Sequence, residues 1–411
     1  MYSEIKKCRI SESPNLIPVL SLGHQYLTGV FPKSRDEVIT KGPLDLVWCP
    51  ESGLLQLKQS YNLDEMYGDN YGYRSGLNKS MVNHLTNKVH MLEKMVLLSK
   101  NDVVVDIGSN DATSLKAYVS NCLKIGIDPT GNKFKKYYED EEGIKLIPKF
   151  FSSKAFFDLL PHKKAKIVTS IAMFYDLENP ISFIKDIESI LAEDGIWHFE
   201  QSYMPAMLRA NSYDTICHEH LEFYSFKVVK GLLEQCDMRV VDVKMNSING
   251  GSFAVTACKR NAHYKSNLPI INWMIRQEDD LGLDTPKPYR DFEERVFKHR
   301  KNLRELIDAL VSDGKKIIGY GASTKGNVLL QFCGITTDLI PYIAEVNEEK
   351  FGAYTPGTKI PIIPEDEAKR MKPDYFLVLP WHFKDSILRR EMEYLRGGGK
   401  FIFPLPQIEI V

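Results

Sequence analysis

The sequence predicts an α/β protein. A doubly wound parallel sheet occupies the middle of the chain, a small β-rich module precedes it, and a second, smaller parallel α/β unit follows. Three observations predict this. From about residue 68 to 265, short β-branched runs ending in polar residues (VVVDIG, KIGIDP, KIVTSIAMF, GIWHFEQSY) alternate with helical stretches. Residues 1–67 instead hold apolar runs broken by turn residues: LIPVLSL, LDLVW and GLLQL. From residue 266 to 411, two long helical segments flank a TPKP break, and a second strand–helix series follows: KKIIGYGAS, LIPYIAEVN, YFLVLPW and KFIFPLP.

Within the second region, YGDNYGYRSG leads into a helix from about Lys79 to Leu98. ENPISFIKDIESILAEDG is a connecting helix, and FAVTACKR is the last strand. In the third region the second long helix runs from about Tyr289 to Ser312. Ligands of such open sheets sit beyond the carboxyl ends of the strands, so the polar residues ending each run converge on one edge.

Composition narrows the function. The 411 residues carry 53 basic and 54 acidic side chains, a formal net charge of -1, without the basic bias of a nucleic-acid binder. Hydrophobic residues make up 43%, enough for several cores. No apolar run reaches the roughly 20 residues of a membrane span. The start, MYSEIKKCRISESP, lacks the apolar core of a secretory signal, so a cytoplasmic location is expected. Seven scattered cysteines suit reduced thiols.

Three segments carry chemistry. VVVDIGSND ends a buried-type strand in Asp106 and turns at Gly108, with Ser109 and Asn110 where a dinucleotide fingerprint has its later glycines. About 20 residues on, KIGIDP ends in Asp128 and Pro129, and an acid there can accept both hydroxyls of a ribose. Acids at the first two strand ends with one glycine turn are the pattern of Rossmann-like S-adenosylmethionine enzymes. The second segment, SYDTICHEHLEFYS, holds Cys217, His218, Glu219 and His220, the densest titratable cluster in the chain. Residue type allows a metal site, but the i, i+4 histidine spacing is missing. A Cys–His nucleophile and a histidine general base are the other readings. Downstream, NSINGGSF offers backbone N–H groups at Asn249, Gly250 and Gly251.

The third segment, GYGASTKGN, follows a strand and opens a helix. The helix start, Ser323, Thr324 and Lys325 form an anion cradle that a sugar-nucleotide diphosphate would fit, with Asn327 beside it. Glu345 at the next strand end is placed for a ribose or a base, and Trp381 with His382 for stacking.

The three regions in this order resemble the sugar C-methyltransferase family, which acts on nucleotide-linked 4-keto-deoxysugars. The resemblance covers essentially the whole chain. It is carried by Y-x-Y-x-S-G (Tyr71 to Gly76), VVVDIGSND, HEHLEFYS, NGGSF, GYGASTKGN, YTPGTKIPI and KFIFPLP. It implies a zinc-type N-terminal domain, a central S-adenosylmethionine domain and a C-terminal domain that helps hold the nucleotide sugar. The family's zinc ligands are two C-x-x-C pairs. Here they read Cys8–Ser11 and Cys49–Ser52, so no bound zinc is expected.

The resemblance also implies roles. His220 is the base that removes the C3 hydrogen next to a C4 ketone, and Glu219 orients or polarises. Tyr73 and Tyr175 complete the catalytic set, Tyr175 standing where the family often has a histidine. Cys217 replaces a frequent tyrosine. Asp106, Gly108, Ser109 and Asn110 would meet the methionine end of the cofactor, with Tyr71, Ser75 and Met173. Asp128 and Pro129 would meet its ribose, and Phe151 its adenine. His218, Tyr224, Asn249, Gly250, Gly251 and the third-region residues would hold the sugar nucleotide. An O-methyltransferase on the same scaffold, a nucleotide-sugar oxidoreductase and a non-catalytic scaffold are the competing readings. Neither nucleic acid nor membrane is an expected partner.

Overall fold

The computed structural model describes residues 2–66, 73–139 and 143–411. The N-terminal region forms β1 (Tyr2–Glu4), β2 (Ile17–Tyr26), β3 (Lys41–Trp48), β4 (Leu55–Leu57) and β5 (Gln59–Tyr61). The central region contributes β6 (Val103–Ile107), β7 (Leu123–Ile127), β8 (Ile144–Ile147), β9 (Ala165–Ile171) and β10 (Leu191–Ser202). It goes on with β11 (Glu222–Phe223), β12 (Met238–Asn246) and β13 (Ser252–Lys259). The third region adds β14 (Ile317–Tyr320), β15 (Ile343–Glu345), β16 (Ile362–Pro364), β17 (Tyr375–Val378), β18 (Lys400–Phe403) and β19 (Glu409–Ile410).

The central sheet has the order β12-β13-β10-β9-β6-β7-β8, and only β13 runs antiparallel to its neighbours. This is a Rossmann-like, doubly wound order, with its switch point between β6 and β9. The third-region sheet repeats the logic on a smaller scale, β16-β15-β14-β17-β18-β19, with only β19 antiparallel. Both parallel sheets thus present the carboxyl ends of their first strands, at Asp106 and Tyr320, as ligand edges.

The N-terminal sheet is antiparallel, β11-β4-β3-β2. Its edge strand β11 comes from the central region, two residues after His220. A single apolar cluster runs from this sheet into the third region. Trp48 lies against Tyr289 at 5.0 Å, and Leu46 and Leu57 share a core with Ile318 and Phe376. The bridge is the helix Lys287–Ser312. It buries Tyr289, Phe292, Val296, His299, Leu303 and Ile307, spaced three or four apart as one stripe.

The first helix of the third region, Leu268–Asp280, joins the central core instead, through Ile271 and Met274. Its buried Glu278 accepts from Tyr203 Oη at 2.8 Å and from the free amides of Phe226 and Lys227 at 2.6 and 2.8 Å. It therefore completes the N-terminus of the helix Phe226–Gln235. Burial raises the acid of Glu278, and its three donors oppose that rise. We expect Glu278→Ala to cost about 3 kcal/mol, because three donors, those of Tyr203 and Phe226 buried, lose their acceptor at ~1 kcal/mol each. Glu278→Gln should lose under half of that. Urea unfolding of the two variants would check it, and equal losses would refute the capping role.

Candidate active site

The first ligand edge is built on the turn after β6. Gly108, Asn110 and Ala112 have φ of +72°, +49° and +62°, so the chain coils tightly there. A Cβ on Gly108 would stand 3.2 Å from Met173 Cγ, so only glycine lets this turn approach the segment after β9. Asp128 pins the turn by accepting from Asn110 N at 2.7 Å, and it caps its own loop through Thr130 N and Oγ1. Ser109 Oγ lies 2.7 Å from Tyr138 Oη. The strand-end Asp106 is buried and accepts from Thr169 Oγ1 at 2.5 Å. Burial first, and then the charge of Asp128, pushes its acid up to about 7 against the pull of Thr169 and Ser114.

The segment before the helix Lys79–Met95 straps this turn. Ser75 N donates to Asn110 Oδ1 at 3.0 Å, Gly76 N to Asp111 Oδ2 at 2.9 Å, and Asn110 Nδ2 to the carbonyl of Tyr73 at 3.2 Å. The Tyr73 side chain is half exposed. Tyr71 lies outside the described residues. Pro129 and Phe151 are half-buried nearby in sequence, Phe151 edge-on to Phe183 at 5.1 Å.

The second edge is the C-H-E-H segment. His220 Nδ1 lies 2.7 Å from the carbonyl of Thr215. Only an N–H can satisfy that carbonyl, so the proton sits on Nδ1 and Nε2 keeps its lone pair. Burial, reinforced by the charge of Lys325, lowers His220 to about 4, so it is neutral at pH 7. Tyr175 meets the imidazole edge-on at 4.4 Å. Thr215, not Glu219, therefore orients the ring. Glu219 faces the Gly29 backbone so closely that a Cβ there would stand 2.0 Å from Oε1. Burial alone raises its acid to about 7. Cys217, Glu219 and His220 hold their ligating atoms within 4.8 Å of one another.

The third edge folds onto the second. Ser323 caps the helix Thr324–Cys333 by accepting from Gly326 N at 3.0 Å. Asn327 Nδ2 donates to the carbonyl of Thr28 at 2.8 Å, and the same Gly29 Cβ would stand 3.7 Å from Thr324 Oγ1. The loop Thr28–Gly29 is thus wedged between Glu219 and the helix start. Lys325 Nζ donates to the carbonyl of Asn249 at 3.1 Å, in the turn where Gly250 and Gly251 have φ of +90° and +128°.

Four expectations change. His218 is buried against the N-terminal region, its ring nitrogens 3.5 Å from Thr28 Oγ1 and 3.3 Å from the Gln25 carbonyl, so it ties domains together. Tyr224 stacks on Phe174 at 5.2 Å inside the core. Trp381 offers no free face, because its indole N–H donates to Asp214 at 2.7 Å and its ring covers Gly250. Glu345 accepts from Ala322 N, Val346 N and Asn347 N, so it organises the GYGAS turn as Asp128 organises the first one. Thr215 and Asp214 escape a sequence reading. A backbone acceptor has no side-chain signature, and Asp214 is one acid among many.

Residues 8–67 match the family described as "Putative zinc binding domain", and residues 247–406 the family described as "C-methyltransferase C-terminal domain". The chain is 30% identical over 411 residues to the C-methyltransferase NovU of Streptomyces niveus, spanning 99% of this chain and 97% of NovU. Two solved structures are also similar. The methyltransferase bound to the Trm112 activator of Haloferax volcanii is 15% identical, with a TM-score of 0.36 over 45% of this chain and 94% of that one. The N-methyltransferase NodS of Bradyrhizobium japonicum is 12% identical, with a TM-score of 0.34 over 44% and 98%. No helix among the described residues is long and apolar enough to cross a membrane.

Proposed function

The chain belongs to the C-methyltransferase family, and from that premise we propose that it methylates the carbon next to the ketone, C3, of a nucleotide-linked 4-keto-deoxysugar. The observation that carries this reading is the meeting of three regions at the C-H-E-H segment, where Gly29 faces Glu219 and the charge of Lys325 reaches His220. A neutral imidazole with a free Nε2 is what removal of a proton next to a ketone needs. S-adenosylmethionine supplies the methyl group as a sulfonium electrophile. The first edge fits it: Asp106 and Asp128 form a buried acid pair with no ion pair to a cation among the described residues, which a positively charged, hydroxyl-bearing ligand would complete. His220 takes the proton on Nε2, Thr215 keeps the ring aligned, and the third region with the NGG turn orients the sugar nucleotide.

The N-terminal region does not fit zinc. Cys8 Sγ lies 3.2 Å from Ser52 Oγ and Ser11 Oγ 3.4 Å from Cys49 Sγ, so each hydroxyl is engaged by a thiol. Two neutral hydroxyls are poor ligands for zinc, which takes thiolate, imidazole or carboxylate.

Incubation with S-adenosylmethionine and a panel of nucleotide-linked 4-keto-6-deoxysugars tests the function. One added methyl, a lost ring proton and no methoxy signal in the proton NMR spectrum are expected. A methoxy signal would reassign the chain to O-methylation. The acid pair gives a second check. An acid whose folded value is raised keeps a proton that the unfolded chain gives up, and it destabilises the fold as pH rises through about 7. A cation beside it reverses the shift. Cofactor binding near pH 7 should therefore release a fraction of a proton, and affinity should rise from pH 6 to 8. Calorimetry in buffers of different ionisation enthalpy reads this directly. Undiminished release in Asp106→Asn would assign the proton to another group.

A further inference from the structure

We propose that Lys325 is a catalytic residue that donates to the ketone oxygen as the enolate forms, rather than a ligand of the diphosphate. The inference rests on the proposed reaction and changes the role that the sequence implies for this lysine. Removal of a proton next to a ketone leaves negative charge on the carbonyl oxygen, and a donor must be waiting where that charge develops.

Three observations place the ammonium there. First, Lys325 opens a helix that packs against the turn Tyr213–Thr215, which aligns His220. Its neighbour Thr324 shares the Gly29 contact with Glu219. Second, Nζ spends one donor on the Asn249 carbonyl at 3.1 Å and makes no other hydrogen bond among the described residues, so two N–H groups are left over. Its charge reaches His220, Asp214, Cys217 and His382. Third, the surroundings suit a single developing charge better than a diphosphate. Asp214 is buried, and while Oδ2 accepts from Trp381, Oδ1 has no hydrogen-bond partner among the described residues. A carboxylate beside Lys325 offsets its charge and repels a dianion. Among the described residues, Ser212 Oγ and His382 Nδ1 are also buried without partners, and Ser212 stands against the same Gly250 turn.

The step balances. The C–H bond beside the ketone breaks, and its proton passes to His220 Nε2. The electron pair becomes the carbon–carbon double bond, and the carbonyl π pair moves to oxygen, which accepts from Lys325 Nζ.

The test is solvent exchange in deuterium oxide, without methyl donor, on a saturating nucleotide-linked 4-keto-6-deoxysugar. In Lys325→Met and Lys325→Gln the exchange rate should fall about a hundred-fold or more. Affinity for the sugar nucleotide should change less than about three-fold, and Lys325→Arg should recover part of the rate. Weakened sugar-nucleotide binding with a full exchange rate at saturation would overturn the proposal in favour of the diphosphate role. No exchange by the unsubstituted enzyme would overturn the reaction first and the proposal with it.

A measurement on the free protein separates the two. The groups facing His220 are Cys217 and Glu219 from its own segment, Tyr175, Glu222 across a small hollow, and Lys325. Removing the only cation among these should raise the His220 titration from about 4, read by NMR on labelled histidine in Lys325→Gln. An unmoved titration would show that Lys325 does not act at His220.

Discussion

His220→Asn should lower turnover by about a thousand-fold, within the range of a lost general base. The amide can still donate to the Thr215 carbonyl, so the loop should keep its shape while the Nε2 lone pair disappears. Cofactor affinity should stay within about two-fold, because the acid pair at Asp106 and Asp128 belongs to a separate edge. The decisive readout is exchange of the ring proton next to the ketone. Its loss alongside intact cofactor binding supports the base. Its persistence would remove His220 from that role and shift attention to Glu219, whose acid is raised to about 7.

The second large effect is a gain. Ser11→Cys with Ser52→Cys should convert the N-terminal region into a zinc site holding about one equivalent of metal, against a small fraction in the unsubstituted chain. The geometry is nearly ready. Tetrahedral zinc with sulfur at about 2.3 Å sets neighbouring sulfurs about 3.8 Å apart. The Cys8–Ser52 and Ser11–Cys49 separations are 3.2 and 3.4 Å. Two tight turns deliver these side chains, closed by Glu12 N on the Cys8 carbonyl at 3.1 Å and by Gly53 N on that of Cys49 at 2.8 Å. Burial works against the Cys8 thiolate, yet hydrogen bonds from Ser11 and Ser52 hold the thiol below its ordinary range. Elemental analysis of both purified chains is the check. One zinc per unsubstituted chain would overturn the metal-free reading, and a zinc-free double variant would refute the preformed geometry.

Much of this fold is legible in the sequence because period and chemistry coincide. VVVDIG, KIVTSIAMF and KKIIGYGAS each hold a run of β-branched residues, and each is a strand between two others. The strands that escape are of another kind. Met238–Asn246 alternates charge with valine on the rim of the sheet, and Ile144–Ile147 and Ile362–Pro364 are outer strands of three or four residues. Glu222–Phe223 is a strand only because β4 stands opposite it. The candidate site follows the same rule. Asp106, Asp128 and His220 are visible because acids at strand ends and a histidine cluster stand out by residue type alone. The roles of His218 and Trp381 depend on residues of another region, Thr28 and Asp214, and that of Glu345 on the amide of Ala322 in the neighbouring strand-end turn.

The edge strand β11 and the shared core of Trp48 and Tyr289 also govern how the chain comes to be made. The first sixty residues cannot finish their sheet from local sequence. Their fourth strand emerges only with Phe223, and the helix that covers their apolar face only with Ser312. At about 5–20 residues per second of synthesis, the amino-terminal piece waits on the order of tens of seconds with its apolar side uncovered. The product of translation is therefore closed from its far end backwards. A nascent chain stalled before residue 287 should be bound by chaperones at its very beginning.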